Sequence, residues 1–409
     1  MLAESLGMSL LRTLTPEKLA SAQVGESKLP HVLLVLDQFP KTLGGGERIV
    51  LRLAALLPQY GYRASILTFS IHPQSPVLES PPCPIYLLPL ERTYDLTAMR
   101  AALELRRFLR SNRVRIVHTF FESSDIWAGF VTRIASKAKL VWSRRDMGIL
   151  RSRKHHIAYR IMSRVPNAVL AVSEQVRQHC IEVDRISPSR VTSVYNGLDL
   201  SNWNDPSKSN RSTSKVLITT VGNIRRVKGH DLLIKAAASV VHQFPDANFS
   251  IAGEVLEPEY FEELQTLIRD LGLSNHFTFA GGVTNLQELL CAADVFVLPS
   301  RSEGFSNAIV EAMAASLPVI ATDVGGNAEA VEHEVTGMII PPEDPDALAA
   351  AICRMLAHPD LGRQMGAAGK ESVAEKFTTS AMMTGITGVY AKLLTTGPQG
   401  GDRAPAVLA

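Results

Sequence analysis

Short apolar runs and helical stretches take turns along this chain, and the series starts afresh about halfway. Residues 32–36, 64–69, 116–119, 140–142, 168–172 and 191–194 form the first set of runs, and 216–221, 248–252, 276–280, 294–298, 318–321 and 337–340 the second. Runs this short and continuous read as buried strands. Strands separated by helices lie parallel, because parallel neighbours cannot be joined by a hairpin. Between the two sets, residues 201–215 are polar and built from turn formers, the best boundary in the sequence. At 409 residues the chain also exceeds what one hydrophobic core usually serves. The expectation is an α/β chain of two doubly wound domains, 30–200 and 216–377, facing each other across a cleft and joined by a linker at 201–215. Residues 1–29 read as a flexible leader and 396–409 as a disordered tail. In such sheets ligands gather at the carboxyl ends of the strands.

Composition removes several function classes. Lys and Arg number 42 against 40 Asp and Glu, a formal charge of +2, so nucleic acid is not an expected partner. Cys83, Cys180, Cys291 and Cys353 are scattered, with no C-x-x-C pair, which fits a reducing compartment without a disulfide or zinc framework. No window approaches the roughly 18 apolar residues of a membrane span. The first 29 residues carry Glu4, Glu17 and Glu26 and lack an apolar block behind a basic start, so they are not read as a signal peptide. The expected address is cytoplasmic.

The most informative chemistry lies between Ser300 and Glu311. An apolar run ends at Leu298, Ser306 stands as an N-cap, and a helix rich in Ala, Met and Glu follows. Glu303 and Glu311 bracket that turn with seven residues between them. Free amides and partial positive charge at a helix start suit a phosphate, and ionised carboxylates accept hydrogen bonds from sugar hydroxyls. Phosphate and sugar together suggest a nucleotide-sugar, although two glutamates at this spacing also occur in ordinary βα units. The whole string E-G-F-S-N-A-I-V-E-A-M-A-A-S-L-P-V-I-A-T resembles the E-x7-E signature of the retaining glycosyltransferases of family four, which have the GT-B fold.

That resemblance implies two Rossmann-like domains, with a last helix at 378–395 crossing back onto the first. It assigns Glu303, with Gly304 and Phe305, to the donor sugar, Glu311 to the ribose, and the amides of Ser306 and Asn307 to the diphosphate. Gly222 to Gly229 places Arg225, Arg226 and Lys228 on one short loop. Cations there would stabilise the charge that builds on a diphosphate leaving group; a solvated basic loop is the other reading. The family pattern is G-R-L-x-x-x-K-G: Lys228 matches its lysine, Asn223 stands where arginine is usual, and Arg225 supplies a charge two positions on. Gly281, Gly282 and Val283 resemble the turn whose backbone reads the base. In the first domain Gly44, Gly45 and Gly46 open a helix after the first strand, like the family's G-G-x-E-R segment, and are expected to face the donor's phosphates.

His118, near the end of a strand, matches the first histidine of a family H-x-H; Phe120 occupies the second position and Glu122 is a competing polar group. Arg144, Arg145 and Asp146 are expected on the same rim. The mechanism so implied has Glu303, Lys228 and His118 at the reacting centre, the leaving phosphate as base, and closure hinging near 196–204. The one Asp-x-Asp, at Asp344 and Asp346, opens a helix after a Pro-Pro turn and reads as a cap, so neither metal nor other cofactor is expected beyond the UDP- or GDP-sugar substrate. The acceptor is expected to be a glycan or lipid-linked hydroxyl in polysaccharide, lipopolysaccharide or glycolipid biosynthesis. Residues 151–165 hold Arg151, Arg153, Lys154, Arg160 and Arg164 around an apolar stripe of Ile157, Ile161 and Val165. They read as a surface helix or as peripheral contact with an anionic membrane. Two other functions stay open: a nucleotide-sugar epimerase or hydrolase on the same fold, and a catalytically silent binding subunit. No G-x-G-x-x-G follows either leading strand, which speaks against a dehydrogenase.

Overall fold

The computed structural model describes residues 12–13, 28–90, 95–148, 153–203, 216–283 and 285–395. Most of the expected leader, the linker beyond Trp203, the tail from residue 396 and Arg151 lie outside the described residues. The chain divides into two compact units, one of Met1–Val172, Val176–Val194 and Met382–Ala409, the other of Ser173–Gln175 and Tyr195–Ala381.

The first unit holds strands β1 (Arg12–Thr13), β2 (His31–Phe39), β3 (Arg63–Ile71), β4 (Ile85–Leu87), β5 (Val114–Thr119), β6 (Lys139–Arg144), β7 (Ala168–Ala171) and β8 (Val191–Ser193). They order β1-β4-β3-β2-β5-β6-β7-β8, parallel except for β1, which runs antiparallel along β4. Val32 to Leu36 have no exposed surface, because helices cover both faces of the sheet. Helix Gly45–Leu56 supplies Ile49, Val50 and Leu53 to the core, and helix Thr379–Thr395 supplies Met382, Met383, Ile386 and Tyr390. Helices Leu96–Ser111, Gly129–Ala135 and Arg153–Met162 precede β5, β6 and β7, strands that advance along the sheet in the opposite sense to the step from β2 to β3. Right-handed crossovers therefore set these three together on the face away from Gly45–Leu56.

The second unit holds β9 (Val216–Val221), β10 (Ala247–Ala252), β11 (Phe277–Gly281), β12 (Val295–Leu298), β13 (Val319–Thr322) and β14 (Gly337–Ile340), ordered β11-β10-β9-β12-β13-β14 and parallel throughout. Its core includes Phe249, Ile251, Val295 and Val297 under Leu233, Ile234 and Ile352. Strand order reverses at β9 here and at β2 in the first sheet. Such a reversal sends neighbouring loops in opposite directions and opens a crevice at the carboxyl ends, between β9 and β12 and between β2 and β5.

Candidate functional site

The loop after β9 is built tightly. Gly222 N donates to Ala252 O, and the Asn223 side chain accepts from Glu254 N at 3.1 Å. The residue that departs from the family pattern thus ties two strand ends together. Gly229 sits at φ +67, where a Cβ would lie 2.0 Å from Pro299 O. Only glycine lets this loop meet the one after β12 so closely.

That approach brings the expected residues into contact. Lys228 Nζ donates to Glu303 Oε1 at 2.7 Å, and Ser300 Oγ donates to the same oxygen at 2.6 Å. The Lys228 and Glu303 side chains keep 24% and 10% of their surface exposed, enough to meet a ligand. Arg301, which sequence reasoning passed over within its own motif, clamps the assembly. Its backbone N donates to Val227 O, its guanidinium to Arg226 O, and both terminal nitrogens to Asp231, at 2.8 and 2.9 Å. Burial would raise the Asp231 carboxyl, but hydrogen bonds from Arg301 and Tyr260 hold it down at about 2.

The two arginines before Lys228 turn elsewhere. Arg226 donates to both Glu263 oxygens at 2.8 Å and covers the Tyr260 ring, and Arg225 Nε reaches Glu257 at 3.3 Å. The short helical turn Arg226–Lys228 is the cause, since it points Arg226 and Lys228 in different directions. Phe305, expected among the donor-sugar contacts, is 7% exposed and packs its ring between Tyr195 and Phe377, which leaves its backbone for a ligand. Ser306 takes the N-cap conformation of helix Asn307–Ala314 but its side chain makes no capping bond. Asn307 Oδ1 accepts from Asn196, and Glu311 lies half-buried in the same helix.

A glycine pair missed in the sequence backs this loop. A Cβ on Gly325 would lie 1.8 Å from Glu303 O, and Gly326 N donates to Gly304 O at 2.9 Å. Two adjacent glycines after an apolar run were the available signal. Gly281 has φ +64, and the Glu254 carboxylate crowds Gly282 so closely that a Cβ would fall 2.0 Å from Oε1. Val283 follows, half-buried. Asp344 accepts from Ala347 N at 2.9 Å with Pro345 at the first helical position, the capping role expected of it.

In the first unit, Gly44 caps helix Gly45–Leu56 through its backbone, and a Cβ on Gly46 would meet the Phe121 ring at 2.8 Å. The loops after β2 and β5 therefore touch. Glu47 folds back onto the Gly44 amide; burial raises its carboxyl above the usual range, and that hydrogen bonding only partly offsets the rise. The helix start expected to face phosphate thus already carries a carboxylate.

His118, expected at the reacting centre, is 1% exposed within β5 and its Nδ1 shares a hydrogen bond with the Tyr390 hydroxyl at 2.6 Å. Burial, reinforced by Arg145, lowers it to about 3, so the ring is neutral at physiological pH and takes no part in acid–base exchange there. Its Nε2 finds no hydrogen-bond partner among the described residues. Arg144 is not on the rim. It is 3% exposed and ion-paired with Asp125 and Asp184 over the Tyr159 ring, while burial pushes Asp125 up to about 7.

The sequence matches two family descriptions: Glycosyltransferase Family 4 over residues 43–202 and Glycosyl transferases group 1 over residues 201–372. YtcC of Bacillus subtilis, which bears a glycosyltransferase name, is 27% identical over 88% of this chain and 91% of its own. A GDP-mannose-dependent alpha-(1-6)-phosphatidylinositol monomannoside mannosyltransferase of Mycobacterium tuberculosis is 36% identical over 37% of this chain and 40% of its own. Several other relatives likewise match over less than two thirds of their length. Among solved structures, Anabaena Alr3699/HepE in complex with UDP superposes with a TM-score of 0.79 at 21% identity, covering 88% of this chain and 100% of that one.

Proposed function

We propose that this chain, which belongs to the family-four, group 1 glycosyltransferases of GT-B architecture, moves a sugar from a nucleoside-diphosphate-sugar to an acceptor hydroxyl with retention of anomeric configuration. The contact of Lys228 with Glu303 at 2.7 Å, made by loops from two sides of a switch-point crevice, carries the reading. An ammonium has three N–H donors, so Lys228 can hold Glu303 and still meet the charge that builds on a departing diphosphate. The amides of Ser306 and Asn307 open the adjacent helix and add their dipole to that stabilisation. Glu303 accepts from hydroxyls of the donor sugar, Glu311 from the ribose, and the backbone of Gly281, Gly282 and Val283 receives the base. Arg225 remains near the diphosphate's path, whereas Arg226 acts through its hold on the loop. In the first unit, Gly44, Gly45 and Gly46 flank the other crevice, with His118 buried in β5 beside it.

The leaving phosphate serves as the base toward the acceptor. No metal is used, because the one Asp-x-Asp of the chain is committed to a helix cap; turnover should survive chelation by EDTA. The donor is a UDP- or GDP-sugar, a reading supported by the UDP complex of HepE and by the GDP-mannose dependence in the mycobacterial relative's name. The acceptor is a glycan or lipid-linked hydroxyl of polysaccharide, lipopolysaccharide or glycolipid assembly, and the reaction runs in the cytoplasm. The test is Glu303→Gln, which should lower kcat by about 10²-fold or more with the thermal midpoint retained. Unchanged turnover would remove Glu303 from the mechanism. Nucleotide release at the same rate with and without acceptor would replace transfer by hydrolysis.

A further inference from the structure

Thirteen large apolar side chains are exposed among the described residues, and seven of them lie on three helices of the first unit. Leu96, Met99 and Leu103 stand on helix Leu96–Ser111, Phe130 and Ile134 on Gly129–Ala135, and Ile157 and Ile161 on Arg153–Met162. Leu96 and Ile161 keep 77% and 76% of their surface in solvent. Within each helix these residues are three or four apart, so they share a face, and it is not the face docked on the sheet. Leu105, Phe108 and Leu109 do the docking for the first helix, Val131 for the second and Tyr159 for the third. Helix Leu96–Ser111 packs beside Gly129–Ala135, and Arg153–Met162 packs against the turn Ser124–Ala128 that leads into it. The three crossovers share one side of the sheet, so the exposed apolar residues belong to one surface.

The same three helices hold eight Arg and Lys residues, all exposed, against a single acid, Glu104, which is paired with Arg107 at 3.5 Å. That is a net of seven positive charges on a chain whose total is +2, so the remainder is net negative. A second copy of this chain would set two such faces against each other, and like charge opposes that. A protein partner would have to match at once a net of seven positive charges and the apolar tips set between them. An anionic bilayer satisfies both parts: its headgroups take the arginines and its acyl boundary takes the apolar side chains. Among the described residues no helix is long and apolar enough to cross a membrane, so the surface lies on the bilayer.

We infer that helices Leu96–Ser111, Gly129–Ala135 and Arg153–Met162 form one docking face for an anionic lipid surface. Arg153–Met162, which lies within the stretch 151–165 singled out in the sequence, is one of its three helices. This inference goes beyond the transferase reading and stands without it, because it concerns a surface and not the crevices.

The experiment is co-sedimentation of the full chain with phosphatidylglycerol-rich vesicles and with pure phosphatidylcholine vesicles. The chain should sediment with the first and stay in solution with the second. Arg100→Glu with Arg133→Glu should lower partitioning at least about fivefold per charge removed, and added salt should do the same. Met99→Ser with Ile134→Ser and Ile161→Ser should lower it as well while keeping the salt dependence. Every substituted side chain is solvent-exposed, so thermal midpoints should match the parent; were one set to misfold, the other decides. Equal partitioning to both lipids, or parent-like binding by either variant set, overturns the inference. So does a concentration-dependent dimer that these substitutions dissolve, since a second copy would then cover the face.

Discussion

Nδ1 of His118 and the Tyr390 hydroxyl share a hydrogen bond at 2.6 Å, the ring tautomer setting which of them donates. Burial raises the Tyr390 phenol well above its ordinary range, so the phenol does not ionise near neutrality. The His118 ring, lowered from 6.5 to about 3, is charged in the unfolded chain before it is charged in the folded one. The stability it contributes is therefore fully present above pH 6.5 and is lost as pH falls toward 3. His118→Asn gives up that sensitivity. The cost of the substitution, read from denaturant unfolding, should shrink by about 2 kcal/mol between pH 7 and pH 5; a cost independent of pH would mean the ring is charged in the fold. Adjacent cations also part company at this scale. Lys228→Ala should lower kcat about 10²-fold because the ammonium on Glu303 is lost, whereas Arg226→Ala should stay within about tenfold, since Glu263 already holds that guanidinium at the surface. Equal losses would place both on the diphosphate.

Gly229 shows what a whole loop requires of one position. At φ +67 a Cβ strains the backbone, and at 2.0 Å from Pro299 O it also forces the loops after β9 and β12 apart. Gly229→Ala should cost about 2 kcal/mol or more and weaken the proposed nucleotide binding together with stability, checked by thermal shift with and without UDP or GDP. A stable variant with unaltered nucleotide response would show that the close approach of these loops is dispensable. Elements of this kind were only half legible in the sequence. The main strands of both sheets announce themselves because strands buried on two faces must be apolar throughout. β4 does not, since Ile85, Tyr86 and Leu87 stand between Pro84 and Pro89 and three residues carry no period. The Arg226–Lys228 turn was equally hidden: composition places three cations on a loop, but only the local helical twist decides which of them faces Glu303. Arg301 could have been noticed in its motif, yet its partner Asp231 lies 70 residues away in the chain.

The order of strands is the largest thing the alternation of runs and helices leaves open. Parallel pairing follows from the crossovers, but the reversal at β2 and at β9 follows from which edges remain free as each sheet grows, and those reversals create both crevices. Lys228 and Glu303, 75 residues apart, meet only because β12 pairs with β9 and not with β11. The same argument from topology gives the last helix its weight. Its first three residues, Thr379 to Ala381, belong to the second unit, and from Met382 onward it belongs to the first. Met382, Met383, Ile386 and Tyr390 are at most 6% exposed there, in one core with β2, β3 and helix Gly45–Leu56. Full burial of such side chains stabilises by about 1.5–3 kcal/mol each, so the four together approach the whole margin of about 5–15 kcal/mol that holds a domain folded. A chain ending at Ala381 should therefore lose slow amide exchange throughout β2, β3 and β5, with the β9–β14 sheet keeping its protection and the nucleotide binding proposed for it. Hydrogen exchange measured on the truncated chain decides the matter: protected amides in β2 and β5 would show that the first unit folds without its final helix.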